Sequence, residues 1–149
     1  MTWKPEVTVA AVIEKDGAYL LVEEETGAGL AFNQPAGHLE EGESLIDAVI
    51  RETLEESAWH FRPTHLVGVY LWKRPDKDAT FLRFAFAGEL AGFEAGRRLD
   101  EGIVAARWLT LDEVRASRDR HRSPLVLRNI EDHLAGRRYP LDLLAHYRP

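Results

Sequence analysis

Residues 37–59 read GHLEEGESLIDAVIRETLEESAW, and this stretch decides the fold of the chain. From Ser44 to Ser57 the apolar side chains recur at helical spacing without an intervening glycine or proline, which predicts an α-helix. Ser44, followed three residues later by Asp47, forms a fair capping pair at the start of this helix. The stretch therefore predicts a helix from Ser44 to about Ser57.

Three glutamates of this helix, Glu52, Glu55 and Glu56, stand at positions i, i+3 and i+4 and share a sector about 100° wide on one face. Their mutual repulsion disfavours full ionisation unless a cation lies among them, and carboxylate oxygens suit Mg²⁺ or Mn²⁺. A solvated acidic helix face would contain the same three residues. The cluster alone leaves both interpretations open.

Residues around the glutamates complete a longer pattern. Gly37, Glu43 and Arg51 join them at the spacing G-x5-E-x7-R-E-U-x-E-E-x-G-U, where U is aliphatic. Six fixed matches arise by chance in about one chain of this length in 10⁵. This is the Nudix box, and the sequence resembles the Nudix hydrolases. The resemblance implies an α/β fold, the Nudix α/β/α sandwich with a mixed β-sheet between helices, in a single domain over residues 1–149 with its box at residues 37–59.

Three positions of the box depart from the family pattern. Thr53 and Trp59 stand where aliphatic residues are usual, and Ala58 replaces the glycine after the helix. A glycine there supplies a left-handed cap, and alanine loses roughly 1 kcal/mol in adopting that conformation. We therefore expect the helix to end differently. None of the three positions is charged, so the expected metal site is unaffected.

The resemblance also implies which residues bind the metal. Glu52, Glu55 and Glu56 are the implied ligands of Mg²⁺, for which Mn²⁺ is a possible substitute, and the carbonyl of Gly37 is a further ligand. Such a cation, bridging the carboxylates and a diphosphate, neutralises both and polarises the phosphorus centre.

The resemblance also implies roles in catalysis for Arg51, Glu43 and Glu52. Arg51 and Glu43 form a pair that braces the loop against the helix and orients the carboxylates. Glu52 is the expected general base, with the other two glutamates as alternatives. Some families of this fold carry the base on a distant loop, where the nearest acids are Asp100 and Glu101, but for these a solvated loop is the favoured interpretation.

The rest of the chain reads as a mixed sheet with two main helices. Val7–Ile13 and Ala18–Glu24, joined at Asp16-Gly17, predict a hairpin. Ser123-Pro124 predicts the start of a helix that ends near Gly136. Further strands are predicted at Leu30–Gln34, Thr64–Trp72, Thr80–Leu90 and Val104–Leu109, and a short helix at Asp112–Ser117.

The resemblance extends beyond the box, and further segments resemble the NudJ-type group of bacterial phosphatases within the family. Members of that group remove the terminal phosphate from nucleoside tri- and diphosphates and from the thiamine precursor hydroxymethylpyrimidine diphosphate, so the implied product is orthophosphate. The segments are Lys4–Ala10, Asn33–Glu40, Phe81–Phe84, Arg122–Val126 and Arg138–Leu141.

Two other functions stay open. One keeps the chemistry but takes ADP-ribose or a dinucleoside polyphosphate as the substrate of a Nudix pyrophosphohydrolase. The other is a nucleotide-sensing module without catalysis, which the presence of all four box glutamates and Arg51 disfavours.

Strand alternation suggests candidate substrate contacts. Arg83 falls on the strand face opposite Leu82, so we expect it to leave the core and either to clamp a phosphate or to pair with a glutamate. Val67, Val69 and Leu71 are expected on one face of their strand. Tyr70 and Trp72 then share the other, where an aromatic ring either stacks on a base or packs under a helix, and Trp72 is the better candidate.

Loop residues supply the other candidate contacts. Asn33 and Gln34 either read a base edge or satisfy loop backbone groups. His38 either touches the leaving phosphate or faces solvent, and solvent is favoured. Arg122 is a candidate phosphate contact, whereas Arg128 is expected to be a solvated surface residue.

Composition limits the remaining possibilities. The chain has 149 residues and a net charge of −6, which argues against binding to nucleic-acid polymers or anionic membranes. It has no cysteine, which argues against disulfide bonds and metal sites built from thiolates. No run of about 18 apolar residues and no apolar leader occurs. We expect a cytoplasmic enzyme, a monomer or weak homodimer, whose partner is a small nucleotide or pyrimidine diphosphate.

Overall fold

The computed structural model describes residues 2–149. This part of the chain contains eight β-strands and three α-helices. None of these helices combines the length and the hydrophobicity that a membrane crossing requires. The strands are β1 (Glu6–Val12), β2 (Glu14–Lys15), β3 (Ala18–Thr26), β4 (Gly29–Asn33), β5 (Ala36–His38), β6 (Trp59–Lys73), β7 (Thr80–Phe93) and β8 (Ile103–Thr110), and the helices are α1 (Leu45–Ser57), α2 (Leu111–Ala116) and α3 (Leu125–Leu134).

The strands form two four-stranded sheets. The first has the order β5-β1-β7-β6, and it is mixed because β1 runs parallel to β7 while the other pairs are antiparallel. In the second sheet, β3 pairs antiparallel with β2, β4 and β8. The predicted α/β class with a mixed sheet and flanking helices is confirmed, but the strands are divided between two sheets.

The predicted hairpin is wrong in most of its pairing. Only Glu14–Lys15 folds back on Ala18–Tyr19, across Asp16-Gly17, whose φ angles are 51° and 79°. Positive φ at both turn residues is the pattern of a type I′ turn. The preceding β1 lies in the other sheet between β5 and β7, since its apolar residues are buried on both faces, as in a central strand.

Two hydrophobic clusters lie on opposite sides of the first sheet. Ala48 and Val49 of α1 pack with Phe86 of β7. Ala85 and Ala87, on the other face of β7, pack with residues of α2 and α3. The alternation predicted for β7 is therefore confirmed.

The alternation predicted for β6 holds from Val69 to Trp72 but is wrong for Val67, which lies on the face of Tyr70. The register shifts between Leu66 and Gly68, and a bulge of this kind reverses which face the following residues occupy. Val67 is fully buried, whereas Val69 and Leu71 are 49% and 67% exposed. Tyr70 consequently packs against the cluster beside α3 and donates a hydrogen bond to Oδ2 of Asp132 at 2.6 Å. Of the two alternatives predicted for an aromatic ring on this face, Tyr70 therefore packs under a helix.

β6 is also an edge strand of the first sheet. Its outer edge is paired at one point with the C-terminal part of the chain. The backbone N–H of Leu66 donates to the carbonyl of Tyr139 at 2.8 Å, and the N–H of Tyr139 donates back to the carbonyl of Leu66 at 2.9 Å.

The end of α1 corrects a further expectation. Ala58 adopts the left-handed conformation, with φ 65° and ψ 10°, and its N–H donates to the carbonyl of Leu54 at 2.9 Å. The helix therefore ends as it would with glycine, at a conformational cost of about 1 kcal/mol. Thr53 is buried, but its hydroxyl donates to the carbonyl of Val49 at 2.7 Å and so is satisfied.

Gly88→Ala is expected to reduce the free energy of unfolding by about 2 kcal/mol, because overpacked positions typically cost this much. A Cβ at Gly88 would lie 2.1 Å from the carbonyl oxygen of Arg62 and 2.7 Å from Cα of Pro63, and backbone atoms yield poorly. Urea unfolding measures the change. Gly27→Ala is the matched control, since a Cβ at Gly27 meets nothing within 4 Å; equal stability of the two variants would contradict the prediction.

Candidate active site

A cleft of about 380 Å³ lies beside the box. Its walls come from β1, β3, β4, β5, α1, β6, β7 and the start of α3 with the segment before it. Most of the substrate and metal residues predicted from the sequence line it. They are Asn33, Gly37, His38, Glu52, Glu56, Trp72, Arg83 and Arg122.

Three carboxylates converge at one end of α1. Oxygens of Glu52, Glu55 and Asp100 lie within 4.8 Å of one another. The two glutamates meet because they are three residues apart on the helix. Asp100 is held beside them by its backbone N–H, which donates to the carbonyl of Glu55 at 3.0 Å. The sequence favoured a solvated loop for Asp100, but the structure brings this residue into the acidic cluster.

Arg51 connects the box loop to this cluster, as predicted for a brace. Its Nε and Nη2 donate to the two carboxylate oxygens of Glu43 at 2.8 and 2.9 Å. Its Nη1 donates to Glu52 at 2.8 Å and to Glu55 at 2.9 Å, and Nη2 also reaches the carbonyl of His38 at 3.0 Å. The Arg51 hydrogen bonds hold the pKa of Glu43 below its usual range. One guanidinium therefore fixes two carboxylates of the cluster and the loop above them.

Glu56 occupies a different position from the other two glutamates of the helix. Its Oε1 accepts a hydrogen bond from the backbone N–H of Ala36 at 2.9 Å. Burial raises its pKa to about 9, and the nearby Glu52 adds to that rise. Glu56 lines the cleft but lies outside the group formed by Glu52, Glu55 and Asp100.

Gly37 lies directly against Glu52. A Cβ on Gly37 would lie 2.1 to 2.4 Å from the carboxylate atoms of Glu52, so only glycine leaves room for that side chain. Burial also raises the pKa of Glu52 above its ordinary value, partly offset by Arg51. The glycine of the box therefore has a steric role that its spacing alone does not reveal.

This donor set fits a divalent cation. The cluster gathers three carboxylates around one point, and carboxylate oxygens are the ligands that Mg²⁺ and Mn²⁺ prefer. Loss of hydration and the charge of Glu55 raise the pKa of Asp100 although Arg51 and Arg97 lower it, so negative charge remains uncompensated there. A cation would relieve this repulsion.

Arg83 does not leave the core as predicted. It is only 6% exposed, although one part of it reaches the cleft. Its hydrogen-bond partners are side-chain amides: Oδ1 of Asn129 at 2.9 Å, Oε1 of Gln34 at 2.6 Å and Oδ1 of Asn33 at 3.3 and 3.4 Å. The predicted alternatives were a phosphate clamp or a glutamate pair, and the structure shows no glutamate bonded to Arg83 in residues 2–149.

Trp72 lines the cleft. Its ring stacks on that of Phe81 with centroids 6.0 Å apart and planes 23° apart. Both rings line the cleft, because the two residues are direct partners across β6 and β7. Phe81 was not singled out from the sequence, since this pairing depends on the bulged register of β6.

The other predicted contacts divide between the cleft and the interior. Gln34 is 1% exposed and donates a hydrogen bond to the carbonyl of Val126 at 2.7 Å. Of its two predicted roles, it therefore has that of satisfying a backbone group. His38 is exposed and lies 3.1 Å from Glu6. Arg122 lies 3.0 Å from Glu24.

Arg128 and two unpredicted residues complete the account. Arg128 donates to Asp132 at 3.0 Å and lies over the ring of Tyr70 on the outer side of α3. Arg74 and Ser123 line the cleft, but no spacing in the sequence marks them.

Comparison with known proteins shows the family of the chain. Residues 3–130 match the family model described as NUDIX domain. The chain is 39% identical over 145 residues to Phosphatase NudJ of Escherichia coli strain K12, which covers 97% of this chain and 94% of that protein. A NUDIX hydrolase from Nitrosomonas europaea is 54% identical, with a TM-score of 0.95 over 97% of this chain and 98% of that one.

A more distant structure extends the likeness of fold alone. The MutT NUDIX hydrolase from Burkholderia pseudomallei is 20% identical, with a TM-score of 0.69 over 86% of this chain and 99% of that one. Members of this family generally use divalent metal ions, for which the cluster of Glu52, Glu55 and Asp100 is the candidate site. Given its complete set of charged box residues, its fold and its relatives, the chain belongs to the Nudix hydrolases, as a NudJ-type hydrolase of phosphoanhydride bonds.

Proposed function

We propose that the protein is a Mg²⁺-dependent phosphatase that releases orthophosphate from nucleoside tri- and diphosphates or from hydroxymethylpyrimidine diphosphate. The observation that carries the proposal is the cleft itself, which has carboxylates of the box on one wall and the Trp72–Phe81 pair on another. Its volume of about 380 Å³ lies in the range of small-molecule sites. The similarity to NudJ phosphatases supports the choice of product.

The carboxylates define the chemistry. A divalent cation bound by Glu52, Glu55 and Asp100 supplies charge neutralisation at the phosphate oxygens, and Mn²⁺ is a possible substitute for Mg²⁺. Glu52 serves as general base and accepts a proton from the attacking water, since its carboxylate belongs to the acidic cluster and also lines the cleft. The water oxygen bonds to the terminal phosphorus as the bridging P–O bond breaks. Arg51 keeps the carboxylate of Glu52 oriented throughout.

The geometry favours Glu52 over its two alternatives as the base. Glu56 lines the cleft, but one of its carboxylate oxygens accepts the N–H of Ala36. Glu55 belongs to the acidic cluster and is not among the residues that line the cleft. The metal ligands proposed from the family, including Glu56 and the carbonyl of Gly37, are retained, with Asp100 added.

The opposite walls recognise the substrate. Arg83 and Arg122 provide positive charge for phosphate groups, and His38 lines the same cleft from the box loop. Trp72 stacks on the base or pyrimidine ring, and Asn33 offers an amide at the cleft wall. Gln34 acts from the interior by supporting Arg83.

Separate assays of orthophosphate and pyrophosphate test the proposal. The substrates are nucleoside tri- and diphosphates, hydroxymethylpyrimidine diphosphate and ADP-ribose, each with Mg²⁺ and with a chelator. Orthophosphate release that disappears on chelation supports the proposal. Pyrophosphate from triphosphates, or AMP from ADP-ribose, would instead indicate a pyrophosphohydrolase. Tight nucleotide binding without any turnover would indicate a sensor module.

Trp72→Leu is expected to raise the KM for a nucleoside diphosphate about tenfold, because stacking of a base on an aromatic side chain contributes roughly 1–3 kcal/mol. The KM for inorganic pyrophosphate, which has no base, should stay within twofold if pyrophosphate is turned over. Steady-state kinetics measure both values. Trp3→Leu is the control, since Trp3 is exposed and lies outside the cleft. An unchanged KM for the nucleotide in the Trp72 variant would contradict the stacking role.

A further inference from the structure

Arg83 has an unusual environment for a buried guanidinium. Its four hydrogen bonds all end on amide oxygens, from Asn33, Gln34 and Asn129, which we call the amide cage. No carboxylate in residues 2–149 lies within 4 Å of its nitrogens, whereas buried arginines are ordinarily paired with one. The cage thus satisfies hydrogen bonds without neutralising the charge.

The hydrogen bonding of Arg83 is also incomplete. A guanidinium has five N–H groups, and Nη1 contributes two of them. Nη1 has one partner in the described residues, Oδ1 of Asn33 at 3.4 Å, and that oxygen is shared with Nη2. At least one N–H of Nη1 is therefore available at a side chain that lines the cleft.

An unneutralised charge in this position is costly by itself. Burial lowers the pKa of Arg83 to about 10, which reflects the unfavourable removal of the cation from water. Glu56, which lines the same cleft, offsets this cost only in part, and the groups that hydrogen-bond to the guanidinium are neutral amides. The missing counter-charge is supplied most directly by an anion in the cleft.

We propose that Asn33, Gln34 and Asn129 are positioning residues that hold Arg83 in place while leaving its charge free, so that Arg83 binds a phosphate group of the substrate. The inference rests on the proposed diphosphate substrate. Acidic residues of the same shape would also hold Arg83 in place, but they would neutralise the charge that binds the phosphate.

Asn129 offers the sharpest test of this assignment. Its Oδ1 accepts from Nε of Arg83 at 2.9 Å, while its buried Nδ2 has no hydrogen-bond partner in the described residues. Asn129→Asp therefore keeps the acceptor for Nε of Arg83 and adds a counter-charge to the guanidinium. The same change at Gln34 would remove its bond to the carbonyl of Val126 and confuse the result.

The experiment measures the affinity for imidodiphosphate, a diphosphate analogue with nitrogen in the bridging position, by titration calorimetry with Mg²⁺ present. Asn129→Asp is expected to weaken this binding at least tenfold in a protein that circular dichroism shows to be folded, because the new carboxylate pairs with the guanidinium of Arg83. Asn129→Ser, which stays neutral but is smaller, is expected to weaken binding by less than threefold and to lower Tm. A merely structural role for Asn129 predicts the opposite order, with Ser more harmful to binding than Asp.

Two controls accompany this comparison. Arg115→Gln changes the net charge by the same amount at an exposed residue outside the cleft and should leave binding unchanged. If Asn129→Asp does not fold, Asn33→Asp places the same charge beside Arg83 from the cleft wall. Binding to the Asp variant as tight as to the unaltered protein overturns the inference even if the enzyme hydrolyses diphosphates. If the unaltered protein hydrolyses no diphosphate, the proposed function is overturned. The binding comparison still decides whether the amides keep the charge of Arg83 free.

Discussion

Glu52→Gln should reduce orthophosphate release from a nucleoside diphosphate by about 10³-fold, since it removes both a general base and a metal ligand. Glutamine has nearly the same shape, so the hydrogen bond from Arg51 to the Oε1 position can persist. Stability should therefore change little, and kcat should carry most of the loss. Single-turnover and steady-state assays with saturating Mg²⁺ measure the effect.

Glu41→Gln provides the matched control for this variant. Glu41 is an exposed glutamate of the box loop and lies outside the cleft and the acidic cluster. Its replacement should leave kcat within twofold. A Glu52→Gln protein that retains its Tm and its full rate of phosphate release would remove Glu52 from the chemistry and with it the proposed base.

Gly37→Ala is expected to lower kcat at least about 10²-fold, because displacements near 1 Å in a catalytic group can cost that much. The added Cβ would coincide with the carboxylate of Glu52 and force it aside. Because the displaced atoms are the end of a flexible side chain, and the φ of Gly37 is not in the positive range, the free energy of unfolding should fall by less than about 1 kcal/mol. Activity should thus be lost from a folded protein.

The comparison that checks this result is again with Gly27→Ala, which adds the same methyl group in open space. Circular dichroism and urea unfolding establish that both variants fold, and phosphate release is measured on the same samples. Full activity of Gly37→Ala would show that Glu52 need not occupy its present position.

The acidic helix and its brace could be predicted from the sequence because their geometry is local. Helical periodicity alone places Glu52 and Glu55 side by side, and Arg51 follows from its position next to them. The bidentate bond between Arg51 and Glu43 agrees with the role that the box implies. Ser44 caps α1 through the N–H of Asp47, as the capping pair predicted.

The parts of the site that could not be predicted depend on contacts between distant segments. Asp100 reaches the cluster through a backbone bond to the helix, and no residue spacing signals that bond. Arg83 is buried because amides from β4, its following loop and α3 surround it, whereas alternation reports only the face of the strand. The pairing of the strands was harder still to predict. Because β1 is apolar on both faces, its sequence is compatible both with a central strand and with one strand of a hairpin.

The pairing of Leu66 with Tyr139 bears on how the molecule meets its neighbours at high concentration. An edge strand offers unsatisfied backbone groups on which a strand of another chain can add, and such addition begins many aggregates. At Leu66 these groups are already bonded to the C-terminal part of the same chain. That segment therefore protects β6 against intermolecular strand addition at this point.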